Sequence, residues 1–106
     1  MVVSVASESL AEDIVMLDLR QIASFADYFV IMTAQSSRQV ESLEEDISEA
    51  LEKAGISRFH REGALGSGWV LLDFSNVIVH IFGPEEREYF ALERLWARAP
   101  QVVRVQ

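Results

Sequence analysis

The side chains able to do covalent or metal chemistry in this 106-residue chain are few, and their spacing argues against both. There are two histidines, His60 and His80, and no cysteine. This excludes disulfides, thiolate zinc sites and cysteine nucleophiles together. No HExxH or similar ligand spacing is present, so no metal site is expected. Neither GxxxxGK[ST] nor GxGxxG occurs, so the two common phosphate-cradling loops are missing. Gly66-Ser67-Gly68 sets glycines directly beside the serine, unlike the G-x-S-x-G of a nucleophile elbow, and reads most simply as a turn. With 17 acidic residues against 9 basic ones, a chance pair of carboxylates is expected, and no paired-acid constellation stands out. The motifs therefore point away from an enzyme and from any cofactor.

Recognition chemistry is better represented, on one predicted hairpin. Trp69 to Phe74 and Val77 to Phe82 read as strands around a Ser75-Asn76 turn, with Asn76 suited to positive φ. A two-residue loop pairs Leu71 with His80, Asp73 with Ile78 and Trp69 with Phe82. Alternation then gives two faces. Val70, Leu72, Phe74, Val77, Val79 and Ile81 make a wholly apolar one, which must be core. The other carries Trp69, Leu71, Asp73, Ile78, His80 and Phe82, and a charged Asp and a His cannot be dry core unless partnered. Two readings stand side by side. The last helix covers this face, with Asp73 and His80 satisfying each other or the backbone, or part of it stays open with Trp69 as a binding hot spot. For His80 a structural hydrogen bond is the favoured reading.

The elements that position this hairpin follow from periodicity. Asp13 to Leu19 and Tyr28 to Thr33 are apolar runs expected as buried strands, joined by a link short enough to be antiparallel. Ser36 fits an N-cap, with Gln39 reaching back in a capping box. Val40, Leu43, Ile47, Leu51 and Ala54 follow as one helical stripe, closed by Gly55. Glu41, Glu45, Glu49 and Glu52 fall on the solvated side. Ile56 to Glu62 reads as a polar edge strand and Gly63 to Gly68 as a flexible turn. Pro84 opens a final helix with Glu85 and Glu86 at its positive end. Tyr89, Leu92, Leu95 and Trp96 are its expected buried stripe and Pro100 its stop. Phe90 falls off that stripe, either packed on another element or exposed. The order β-β-α-β-β-β-α, with a short helical turn possible before Asp13, makes a mixed sheet of about five strands with helices packed on it. One α/β domain over residues 1–106 is expected.

Composition narrows the partner. At 50% hydrophobic residues the chain can build one core. Met1 to Leu10 has neither the basic start nor the apolar stretch of a secretory signal, no apolar run approaches the ~20 residues of a membrane span, and a cytoplasmic location is the expectation. A net charge of −8 repels a phosphate backbone, so direct nucleic-acid binding is disfavoured and a basic protein partner fits better. The plainer reading of the acid is solubility.

The runs ADYFVIMTAQSSRQV (Ala26 to Val40), HREG (His60 to Gly63), GWVLLDFSNVIVHIF (Gly68 to Phe82) and EEREYFALERLW (Glu85 to Trp96) together resemble the ribosomal silencing factor family, also called Iojap-like or RsfS proteins. The resemblance extends from Asp13 to Trp96. It implies a fold related to nucleotidyltransferases without their activity. It also implies binding to the fourteenth protein of the large ribosomal subunit at the intersubunit face, which blocks small-subunit joining and lowers translation under nutrient limitation. A homodimer of the free protein is a further form the resemblance leaves open. By position the family's contacting tryptophan is Trp69. Glu62, Leu71, Asp73, His80 and Tyr89 are carried along as partner-contact candidates, and Glu86, with Glu85 and Glu88, is added on charge. Many members carry a full helix before the first strand, where here about a dozen residues precede Asp13.

Overall fold

The computed structural model describes residues 1–57, 60–64 and 66–106. In chain order the elements are α1 Val2–Glu8, β1 Glu12–Asp18, β2 Tyr28–Thr33, α2 Ser37–Lys53, β3 His60–Glu62, β4 Trp69–Asp73 and β5 Val77–Phe82. These are followed by α3 Pro84–Phe90, α4 Leu92–Leu95 and β6 Gln101–Val105. The fold is a mixed α+β one. Its single described sheet has the order β3-β4-β5-β2-β1-β6, with a parallel β2–β5 pair at the centre and antiparallel pairing everywhere else. A parallel pair needs a long crossover, and α2 with β3 and β4 supplies it.

Burial on both faces explains why the central strands are continuous apolar runs. On one face α1 and α2 cover Val30, Met32, Val70, Leu72, Phe74, Val79 and Ile81, the apolar hairpin face foreseen from alternation. On the other, Val15, Leu17, Phe29, Ile31, Ile78 and Phe82 pack with Leu92, Trp96 and Ala99.

Helix α2 begins at Ser36, whose hydroxyl accepts the Gln39 N–H at 3.1 Å. The reciprocal half of the expected capping box is not made. Gln39 Oε1 instead accepts from the Gln35 N–H at 2.7 Å, and its amide donates to Leu10 O at 2.8 Å, tying α2 to the α1–β1 connection. At the other end Gly55 takes φ +84, Ile56 N–H donates to Leu51 O and Gly55 N–H to Glu52 O, a Schellman motif. Val40, Leu43, Ile47 and Leu51 are buried, but Ala54, expected in the stripe, sits at the exposed C-cap.

Four further expectations are corrected. The first strand runs Glu12–Asp18 and is bulged, with Asp13 at φ 45 where the register shifts. A sixth strand, β6, pairs antiparallel with β1 beyond Pro100. The hairpin register is as foreseen, but Ser75, not Asn76, carries the positive φ, at 74, with Asn76 N–H donating to Phe74 O. Last, the C-terminal helix breaks at Ala91, in the left-handed region at φ 45, ψ 51. In the edge strand read over Ile56 to Glu62, Arg58 and Phe59 lie outside the described residues, as does Leu65 of the turn that follows; β3 is the part described.

The break at Ala91 has an electrostatic partner. Arg87 is 8% exposed and is the buried residue of α3. Its guanidinium donates to Glu93 through Nε at 2.9 Å and Nη2 at 3.0 Å, and through Nη1 to Thr33 Oγ1 at 2.9 Å. Asp13, set by its bulge, lies 3.5 Å away and also pairs with Arg104 at 2.7 Å. Six residues apart on one continuous helix, Arg87 and Glu93 would be separated by about 9 Å of rise and face different ways. The turn at Ala91 brings them together, and that pair holds Glu93 below the usual carboxylate range. Tyr89 and Leu95, expected in a buried stripe, are thereby turned out and are 82% and 74% exposed. Leu92 and Trp96 do face the core cluster.

Candidate partner-binding surface around Trp69

Trp69 opens β4 beside the start of α3, and its indole is held by aromatic rings on several sides. It stacks on Phe82, its cross-strand partner, at 5.2 Å between centroids, and lies 4.7 Å from Phe90 and 5.9 Å from His80. Its Nε1–H donates to His80 Nδ1 at 3.2 Å. The residue is partly exposed.

His80 lies beneath it, 3% exposed, edge-to-face with Phe29 at 4.6 Å and parallel to Phe82. Burial among these rings pushes its pKa down to about 4, so it is neutral at physiological pH. Because Nδ1 accepts, the proton sits on Nε2, which has no hydrogen-bond partner among the described residues. The histidine thus makes the structural hydrogen bond favoured from sequence, with tryptophan as its donor.

Asp73 is not that donor's rival. Four positions along β4 from Trp69, it caps the hairpin, its Oδ1 accepting the Ser75 N–H at 2.7 Å, and its cross-strand neighbours are Ile78 and His60. It pairs neither with His80 nor with the Trp69 end of the strand.

The other candidates do converge. Glu62, Gly63, Trp69 and Leu71 line a hollow of about 100 Å³ on one side of the indole. Ser67, Glu85, Glu86, Tyr89 and Phe90, the last of which packs on the indole, line an open groove of about 440 Å³. Glu86 folds across Gly68 and Gly83, where a Cβ on either glycine would collide with its carboxyl group, and Gly68 also needs φ +84. Tyr89 meets Phe90 edge-to-face at 5.1 Å, so the aromatic surface continues outward from Trp69. Phe90, left undecided by the sequence, both packs on the indole and contributes exposed surface. Glu62 thus lies beside the indole, and Glu86 and the exposed Tyr89 lie beside Phe90, which packs on it, while His80 accepts the indole N–H from below. Among the described residues no group of three or more His, Asp or Glu is placed to hold a metal ion, and no helix is long and apolar enough to cross a membrane.

Partly exposed aromatic rings with carboxylates nearby are the kind of chemistry that protein-recognition surfaces use. The sequence model of the family described as "Ribosomal silencing factor during starvation" (RsfS) matches residues 1–106, and the chain belongs to that family. It is 41% identical over 90 residues to the ribosomal silencing factor RsfS of Bacillus subtilis, covering 85% of this chain and 76% of that protein. A crystal structure of a Chromobacterium violaceum protein superimposes with a TM-score of 0.86 at 30% identity, covering 91% of this chain and 80% of the other. The mouse protein named "Mitochondrial assembly of ribosomal large subunit protein 1" is 28% identical over 99 residues, 91% of this chain and 43% of its own length. The general role is thus that of a ribosomal silencing factor, a regulator of translation that associates with the ribosome.

Proposed function

We propose that this chain binds the fourteenth protein of the large ribosomal subunit through the surface around Trp69, and so blocks the small subunit from joining. The mechanism is occlusion. It needs affinity and bulk and no chemical step, which fits a site built of aromatic rings and carboxylates and a chain without nucleophile or phosphate-loop motifs. The observation that carries this reading is the Trp69 anchor, stacked on Phe82 and packed at a tilt against Phe90 yet partly exposed, with the Glu62 hollow beside it and the Glu86 groove adjoining Phe90. Ribosomal proteins are mostly basic, and rim carboxylates speed encounter with such a partner. Within the candidate set, Trp69, Leu71, Glu62, Glu86 and Tyr89 are the proposed contacts. Asp73 serves the turn, and His80 is buried.

The test is sedimentation with purified subunits. The protein should travel with isolated large subunits, not with assembled ribosomes, and should lower subunit pairing in a reconstituted mixture. Trp69→Ala should weaken binding by about 2 kcal/mol or more, as for hot-spot truncations generally. Wild-type binding by a folded Trp69→Ala variant removes that residue from the interface. The mouse relative's name favours a second reading, in which the same surface serves large-subunit assembly. Subunit profiles and precursor RNA in growing and starved deletion cells separate the two.

A further inference from the structure

We infer that His80 is a positioning residue for Trp69: the buried imidazole fixes the rotation of the indole that a partner meets, without touching the partner itself. The inference rests on the docking reading of Trp69 given above. At 3% exposure His80 offers no surface of its own. The one hydrogen bond described for its side chain is with the Trp69 indole N–H, at 3.2 Å. The contacts of Trp69 with Phe82 and Phe90 are ring-on-ring and tolerate turning of the indole in its own plane. An N–H···N bond does not, since it weakens steeply with angle. Core packing alone gives no reason for a histidine here. A phenylalanine or leucine would fill the space among Phe29, Phe82 and Trp69 and would leave no buried Nε2 donor without a partner. What histidine adds is the acceptor, at the one point where a partly exposed ring must be held. Holding it beforehand spares the partner the ordering of that side chain on binding.

The experiment measures affinity for purified large subunits together with hydrogen exchange at the Trp69 indole N–H, identified by its loss in Trp69→Phe. His80→Phe keeps a ring but removes the acceptor, with His80→Leu as the second acceptor-free variant should the phenylalanine overfill the site. His80→Asn presents a carbonyl oxygen near the position of Nδ1. The acceptor-free variant should bind about fivefold to tenfold more weakly, the scale of one side chain left to be ordered on association, and its indole N–H should exchange faster. His80→Asn should recover most of both. In the Trp69→Phe background the loss of the acceptor should cost nothing further. Unchanged indole exchange, or an equal affinity loss in both backgrounds, overturns the inference. If Trp69→Phe weakens binding while acceptor-free variants bind normally, the inference alone fails. If Trp69→Phe binds as wild type, the docking reading fails first and the inference with it.

Discussion

Acid should unfold this protein over a window set by His80. The ring lies among Phe29, Trp69 and Phe82, and desolvation holds its pKa at about 4 against an ordinary value of 6.5. Above pH 6.5 both folded and unfolded chains hold the imidazole neutral, and it contributes no pH dependence. Between 6.5 and 4 the unfolded chain binds a proton that the folded chain refuses, so stability falls as pH falls. At 1.36 kcal/mol per pH unit the loss is about 2 kcal/mol at pH 5 and about 3 kcal/mol at pH 4. That is a large part of the 5–15 kcal/mol typical of a domain. Asp18 and Glu93, whose pKa values are lowered by Arg20 and Arg87, lose stability in the same direction, but only as pH passes below the ordinary carboxylate range. Urea denaturation of wild type and His80→Asn at pH 7.5 and pH 5.0 isolates the histidine, because His60 is common to both. Wild type should lose about 2 kcal/mol more than the variant between the two pH values. Parallel losses in the two proteins would refute the argument.

Three other perturbations follow from the same geometry. Glu93→Gln leaves the buried Arg87 guanidinium short of its bidentate partner and should cost about 2 kcal/mol, a value reduced from the fully buried case because Glu93 is partly solvated. Adding Arg87→Met should restore most of it, and a double variant no more stable than the single one in chemical denaturation contradicts the account. Gly68→Ala forces a Cβ into the Glu86 carboxyl group at a positive φ, so it should lower both melting temperature and large-subunit affinity. A crystal structure with Glu86 undisturbed speaks against it. Ser75→Gly relieves a left-handed serine at φ 74 and should stabilise the fold by up to about 1 kcal/mol, read as a raised denaturation midpoint.

Patterns of period and alternation reached the sheet well because they report burial. The apolar runs Tyr28–Thr33 and Val77–Phe82, the hairpin register and the α2 stripe from Val40 to Leu51 are all present. The C-terminal region resisted because its shape comes from contacts distant in sequence. Nothing local marks Ala91 as left-handed, and only the meeting of Arg87 with Glu93, Thr33 and Asp13 accounts for it. A continuous helical stripe therefore placed Tyr89 and Leu95 inside, where the broken helix puts them outside. Strand β6 is five residues long and mostly exposed, too short for alternation to speak above the signal of Pro100. At the site, Trp69 was legible from its face of the hairpin. The partner of His80 was not, since the choice between Asp73 and Trp69 depends on which side chain reaches the ring.

Strand β6 also bears on how the chain is made. It closes the flank of β1, so Asp13 and Arg104, which pair there, are 91 positions apart in sequence. At about 5–20 residues per second, β1 and β2 would be synthesised roughly four to eighteen seconds before β6. Through that interval the β1 edge, carrying Val15 and Leu17, has no neighbour from its own chain. Contacts of such long sequence separation form late and slowly. An unpaired edge is a template for pairing with any other strand, and the arrival of Gln101–Val105 ends that exposure.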